Sequence, residues 1–281
     1  LTARAAEKPW GRRDLSPWSA LAPTVPVGEM IYTPPGGDDT ELLIKALFTD
    51  ARLSVQVHPT ADVARAAGHR RGKDEAWIIL SAEAGAEIGL GLNRQLTPGA
   101  LAAAAADGSI ADLLVWHPVS PGDVLFAPAG TIHAIGAGIT LIEIQQNLDL
   151  TYRLFDYGRA RPLQLDAAVA VADAAPWQRP PAPRHIVDGR VALVEGDSFV
   201  IERVRLHGQV RLQPQAGRPL TVVLLSGRGH VGGQRCGGGE VWQVEAGCDI
   251  GFDAPGEVLL AYPGAGIAPG LLQAQREGLA A

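Results

Sequence analysis

The sequence predicts a mainly β protein, built as a β-barrel with helical insertions followed by a second, smaller β-barrel or sandwich. Two observations carry that expectation. Gly (34) and Pro (21) are spread along all 281 residues and divide the chain into short segments. The segments between these breakers are short apolar runs rich in Val, Ile, Leu and aromatics, the pattern of many strands joined by turns. Hydrophobic residues make up 47% of the chain, enough for a globular protein with a packed core. The length suits one large or two modest domains.

In chain order, Glu41 to Leu47, Leu53 to Val57, Ala76 to Leu80, Val124 to Ala127 and Thr140 to Gln145 read as strands. Thr60 to Gly68 reads as a short helix capped by Thr60. The Ala- and Leu-rich stretch Thr97 to Trp116 reads as one or two helices opening at Thr97-Pro98. Leu163 to Ala175 is a further candidate helix, and the Pro-rich segment after it (PWQRPPAP) is stiff and extended. These features divide the chain into a first unit, 1–175, a linker, 176–184, and a smaller β-unit, 185–281. Within the last, strands are expected at Ile186 to Glu195, Phe199 to Leu206, Gly208 to Pro214, Leu220 to Ser226, Glu240 to Val244 and Val258 to Tyr262. Gly264 to Ala281 reads as a loose tail.

Composition narrows the function. A formal net charge of −6 argues against a nucleic-acid partner, which needs a basic face. An anionic substrate would need a local basic cluster. The two cysteines, Cys236 and Cys248, form no disulfide framework and read as ordinary thiols of a reducing compartment. No leader-like apolar run stands at Leu1 to Pro9, and no run of about eighteen apolar residues suggests a spanning helix. A cytoplasmic protein without a membrane partner, monomeric or a small homo-oligomer, is the expectation.

The chemistry concentrates in two stretches. Gln56 and His58 are two apart on an expected strand and so share a face. Lys73 and Glu75 share a face at the start of the next strand by the same rule. His133 closes Gly-Asp-Val-Leu-Phe-Ala-Pro-Ala-Gly-Thr-Ile-His, in which Gly122 turns into a strand and Pro128 and Gly130 turn out of it. Two imidazoles, a carboxylate and an amide oxygen suit Zn²⁺, or Mn²⁺ or Co²⁺, with a position open to water or substrate. His69, His117, His185, His207 and His230 lack such company and read as ordinary core or surface residues.

Gly122 to His133 resembles the second cupin motif, and Gln56 to Glu75 resembles the first with a helix inserted. More narrowly, KPWGRRDL, LLIKALF, LSVQVHP, GKDEAW and PAGTIHAIG resemble the type I mannose-6-phosphate isomerases, from about Lys8 to Arg161. The match is to the compact bacterial form. The resemblance implies a cupin barrel (jelly roll) and a metal held by Gln56, His58, Glu75 and His133. It also implies a phosphate site at Lys45 and Ser54, a catalytic Arg153, and Glu143 and Lys73 as candidates for the base. Two places depart from the pattern. Ala137 stands where the cupin motif has Asn, and Met30-Ile31 follow Gly28-Glu29 where many members have an aromatic.

The implied reaction interconverts mannose 6-phosphate and fructose 6-phosphate through a cis-enediol. A metal would polarise the sugar oxygens and Arg153 would stabilise enediolate charge. Competing readings are another cupin enzyme, such as a different sugar isomerase or an iron oxygenase, and a non-enzymatic sugar-binding cupin. The Gln56/Glu75 pair and the Lys73-x-Glu75 spacing argue against the oxygenase, whose iron set has more His and no Gln. Retention of all four ligands with Lys73 and Arg153 argues against the binding protein.

Overall fold

Strand β3 (Leu42–Thr49, LLIKALFT) is buried at every position, so both of its faces must be covered. Everything else is arranged in layers on either side of it. The computed structural model describes residues 1–37, 39–187 and 189–274. Among these, the strands form three antiparallel sheets.

The first sheet runs β1 (Thr2–Arg12), β2 (Val27–Thr33), β3, β10 (Ile139–Gln146), β5 (Glu75–Ala82) and β8 (Val124–Ala127), in that spatial order. The second runs β11 (Tyr152–Phe155), β4 (Val55–Val57), β9 (His133–Ile135), β6 (Glu87–Leu92) and β7 (Leu114–Pro118). Helix α1 (Ala61–Ala66) joins β4 to β5, α2 (Pro98–Asp107) and α3 (Ile110–Leu113) join β6 to β7, and α4 (Leu165–Val171) follows β11. The third sheet is ordered β12 (Arg184–Val187), β13 (Arg190–Glu195), β14 (Phe199–Leu212), β19 (Cys248–Pro263), β15 (Leu220–Ser226) and β18 (Val241–Val244). The hairpin of β16 (Arg228–Val231) and β17 (Gln234–Gly237) pairs with β19, and β20 (Leu272–Ala274) pairs with β14.

Strand alternation assigns the faces. Leu42, Ile44, Ala46 and Phe48 of β3, with Ala76, Ile78, Ile142 and Ile144, pack against Leu193, Phe199, Val223 and Leu259 of the third sheet. The other face contributes Leu47, Trp77, Ile79 and Leu141 to a cluster with Ile88, Leu90 and Ile135 of the second sheet. The far side of the second sheet, Val55, Val57, Ala134 and Leu154, is covered by Leu101 and Ala105 of α2 and Ala168 of α4. The chain is thus layered: third sheet, first sheet, second sheet, helices. The first two sheets face one another in the cupin manner, and β14, with both its neighbours, anchors the third.

Local signals explain the element ends. Thr97 caps α2 by accepting from Ala100 N–H at 3.2 Å, with Pro98 in the first turn. Gly108, at φ 85°, ends α2 in the left-handed conformation that glycine tolerates best. The expected helix up to Trp116 therefore stops early, and Leu114 to Trp116 belong to β7, where they pair with β6. The tail is likewise less loose than expected. Ala268 and Leu271 are buried, and Leu272 to Ala274 pair with Val210 to Leu212, whose edge would otherwise lack partners; the expectation for residues 275–281 lies outside the described residues. The two runs Phe199 to Leu206 and Gly208 to Pro214 form one long strand through a register shift between Leu206 and Gly208. No helix among the described residues is long and apolar enough to cross a membrane.

Because one apolar cluster is shared between the first and third sheets, they should unfold together. Phe199, fully buried and edge-to-face with Phe126 across that boundary, is the place to test it. Phe199→Ala should lower stability by roughly 3–5 kcal/mol in a urea titration that keeps a single transition. Two separated transitions in the parent chain would show that the boundary is not cooperative.

Candidate metal centre

The layer between the first two sheets is apolar at one end and charged at the other. Parity places Lys45, Glu143 and Glu75 on the inner face of the first sheet, with Lys45 opposite Glu143 and Glu75 opposite Gln145 in register. In the second sheet the register sets Arg153 opposite Gln56 and Gln56 opposite His133. Gly72 lets the loop before Glu75 close onto the start of α1, since a Cβ there would lie 2.5 Å from Ala61 N. The two sheets thereby bring the ligand candidates of three separate sequence stretches to one place.

His58, Glu75 and His133 are buried, and their donor atoms lie within 4.8 Å of one another. His58 Nε2 is 3.3 Å from Glu75 Oε1, and His133 Nε2 is 3.4 Å from Glu75 Oε2. Each imidazole has a backbone carbonyl at its other nitrogen: Leu150 O at 3.0 Å from His58 Nδ1, and Thr131 O at 2.9 Å from His133 Nδ1. A proton on Nδ1 satisfies that carbonyl and leaves the Nε2 lone pair facing the cluster, the tautomer a metal requires. Burial above all pushes the His58 imidazole down to about 3, against the pull of Glu75, and burial also lowers that of His133. Both rings are therefore neutral near pH 7.

Glu75 is 1% exposed, and neither carboxylate oxygen receives a hydrogen bond. Burial works against its ionisation, but with the imidazoles neutral the Lys73 ammonium beside it opposes burial and holds the carboxyl below its ordinary range. Lys73 Nζ sits 2.9 Å from Glu75 Oε1 and 3.3 Å from His58 Nε2. Two Nε2 lone pairs and an ionised carboxylate short of donors make a donor set that fits a divalent cation. Gln56 stands beside them with Nε2 3.2 Å from His133 Nε2, while its Oε1 accepts from Ser54 Oγ at 3.2 Å. The amide nitrogen, not the oxygen, thus faces the cluster, and a half-turn of the amide exchanges the two.

The charged neighbours are also in place. Lys45, buried, lies 3.5 Å from Glu143 Oε2 and 3.9 Å from Glu29 Oε1. Burial alone would depress its ammonium; Glu143 and then Glu29 reverse that and raise it. Burial, and next the charge of Glu75, push the Glu143 carboxyl up, although Lys45 opposes this and Trp77 Nε1 donates to Oε1 at 3.0 Å. Arg153 is lowered by burial and then by Arg161, and its Nε is buried without a hydrogen-bond partner. Sequence reasoning missed Gln145, which is fully buried with an unpartnered Oε1. The two-residue spacing from Glu143 marks its face. It also missed the carboxylate of Glu29 beside Lys45, for which the sequence gives no signal. A groove of about 1050 Å³ is lined by Trp177, Pro180 and Leu193, among others, and none of the metal-ligand candidates lines it.

The facing sheets define a protein of the cupin type, and the buried His–Glu cluster is its candidate metal site. No protein-family model matches the chain. It is 35% identical over 198 residues to the mannose-6-phosphate isomerase of Streptococcus mutans, covering 68% of this chain and 62% of that protein. It is 36% identical over 211 residues to mannose-6-phosphate isomerase ManA of Bacillus subtilis, covering 69% and 64%. The matched part thus spans slightly less than two thirds of these relatives. The fold resembles the crystal structure of the mannose 6-phosphate isomerase from Bacillus subtilis (TM-score 0.78, 23% identity, 93% of this chain and 98% of that one). It also resembles a mutant phosphomannose isomerase from Salmonella typhimurium (TM-score 0.66, 14% identity, 95% and 98%). The chain belongs to the mannose-6-phosphate isomerase family.

Glu75→Gln and His133→Ala should each weaken binding of a divalent metal by more than about 100-fold, because removing a ligand does more than removing the partner of one. Metal content after gel filtration, with exposed His69→Ala as the control, reads this directly; stoichiometric metal in His133→Ala would remove that residue from the ligand set.

Proposed function

We infer that the chain is a metal-dependent aldose–ketose isomerase acting on mannose 6-phosphate and fructose 6-phosphate. The observation that carries the reading is the Glu75 carboxylate, buried without a hydrogen bond between two Nε2 lone pairs, in a chain with mannose-6-phosphate isomerase relatives. His58, Glu75 and His133 would hold the metal, with Gln56 adding its amide oxygen after the half-turn. Zn²⁺ suits two imidazoles and a carboxylate best, and Mn²⁺ and Co²⁺ suit them next. A bound divalent ion supplies Lewis-acid polarisation of the sugar oxygens.

The chain's own residues supply the rest. The isomerisation moves one proton from C2 to C1 and one from O2 to O1, and leaves the overall oxidation state unchanged. The base must be a group able to accept the C2 proton near neutral pH. Lys73 is held against Glu75 at 2.9 Å and serves to neutralise it. Glu143, whose carboxyl is pushed up by burial, is the better candidate. It takes the C2 proton as the C–H electron pair moves into the enediol, and the same carboxyl returns the proton at C1. Arg153 has a guanidinium nitrogen without a partner and stabilises the negative charge that develops on the enediol oxygen. Lys45 and Ser54 receive the phosphate. Because Lys45 is paired with Glu143, the phosphate competes with Glu143 for the ammonium, so substrate binding frees the base. The remote phosphate contact thereby orients C1 and C2 as well as anchoring the sugar.

A coupled assay should show turnover of mannose 6-phosphate and little with glucose 6-phosphate or free mannose. EDTA should abolish that turnover and Zn²⁺ should restore it. Full activity in metal-free protein, or no activity after reloading, would sink the reading. Arg153→Lys should lower kcat by roughly 10²–10³-fold with a smaller change in KM, as expected for a donor that acts on developing charge. Lys45→Met should raise KM for the phosphorylated sugar; an unchanged KM would remove the phosphate role.

A further inference from the structure

Asp74 lies between Lys73 and Glu75, on the opposite face of the chain, and no role in the chemistry falls to it. It nevertheless makes four hydrogen bonds to three separate parts of the molecule. Its Oδ1 accepts from Ala129 N–H at 2.7 Å, in the turn that leads to His133. Its Oδ2 accepts from Ser198 Oγ at 2.6 Å, in the loop between β13 and β14 of the third sheet. Its N–H donates to Gln146 Oε1 at 3.1 Å, and its carbonyl accepts from Gln146 N–H at 3.1 Å, at the end of β10.

The turn that Asp74 grips is itself the junction of the metal-binding strands. Gly130 N–H donates to His58 O at 2.8 Å, Gly130 O accepts from Asp173 N–H at 2.7 Å, and Thr131 O is the partner of His133 Nδ1. One carboxylate therefore links the strand bearing Glu75, the turn that fixes His58 and His133, and the third sheet. Asp74 is only half-buried, so its charge is not itself a burden on the fold. Bonds to an ionised acceptor are the stronger kind, and partners beyond the ligands set ligand orientation.

We propose that Asp74 is a positioning residue through which the third sheet, by way of Ser198, holds Glu75, His58 and His133 in register for the metal. The proposal gives the third sheet a role in the site although it contributes no ligand. It rests on the reading of His58, Glu75 and His133 as metal ligands.

The test is the Zn²⁺ dissociation constant of the folded full chain, measured by competition with a chromophoric chelator. Asp74→Ala should weaken binding about 10- to 100-fold. Ser198→Ala should weaken it in the same direction by less. Asp74→Asn keeps an oxygen acceptor for Ala129 N–H, and should recover most of the loss. Val222→Ala, a cavity variant in the buried core of the third sheet away from this contact, should lower Tm while leaving the dissociation constant at the parent value. Parent-like affinity in Asp74→Ala overturns the proposal. So does an equal loss in Val222→Ala, because affinity would then follow global stability. If Asp74→Ala fails to fold, Ser198→Ala and Asp74→Asn decide, and parent-like affinity in Ser198→Ala overturns the link to the third sheet. A parent chain that binds no Zn²⁺ overturns instead the ligand assignment, so the two failures are separable.

Discussion

The structure depends on keeping one carboxylate ionised inside the protein. Glu75 is buried between two sheets, and its oxygens receive no hydrogen bond. Removing such an ion from water costs several kcal/mol after relaxation. The Lys73 ammonium at 2.9 Å returns roughly 6 kcal/mol of attraction at an effective dielectric constant near 20, and it has its own desolvation to offset. The pair alone is close to break-even. A second positive charge at the imidazole side would complete it, and the neutral, Nε2-directed tautomers of His58 and His133 leave lone pairs there. The same imbalance that burdens the fold is one that a bound cation would relieve.

That arrangement requires an interior shielded from bulk water. The first sheet provides it by being covered on both faces. One face meets the third sheet through Leu193, Phe199 and Leu259, and the other encloses the charged row of Lys45, Glu143 and Glu75. The charges in that row alternate: Glu29 flanks Lys45, Lys45 faces Glu143, and Lys73 faces Glu75. Each ion has an opposite neighbour. The site is thus polar and preorganised, and the buried Arg153 Nε has no hydrogen-bond partner.

Much of this was legible beforehand because strand geometry is a two-residue rule. Gln56 and His58, and Lys73 and Glu75, share faces by spacing alone, and the Pro128 and Gly130 turn announced that His133 begins a strand. The length of α2 was less legible, since Ala-rich sequence favours helix and only the pairing of Leu114 with Leu92 makes the following residues a strand. The C-terminal segment misled for a related reason. Its glycines and prolines suggest a tail, yet the open edge of β14 recruits Leu272 to Ala274.

By itself the sequence determined the mainly β class and the strand faces, and it pointed to His58, Glu75 and His133 as candidates for one metal site, because alternation and turn chemistry are local. Tertiary structure alone decided that Lys45 spends its charge on two carboxylates, that Gln145 sits opposite Glu75, and that Asp74 ties the site to Ser198, 124 residues away. Those facts depend on which strands pair across the chain and in what register. Spacing within a segment carries no information about the register between segments.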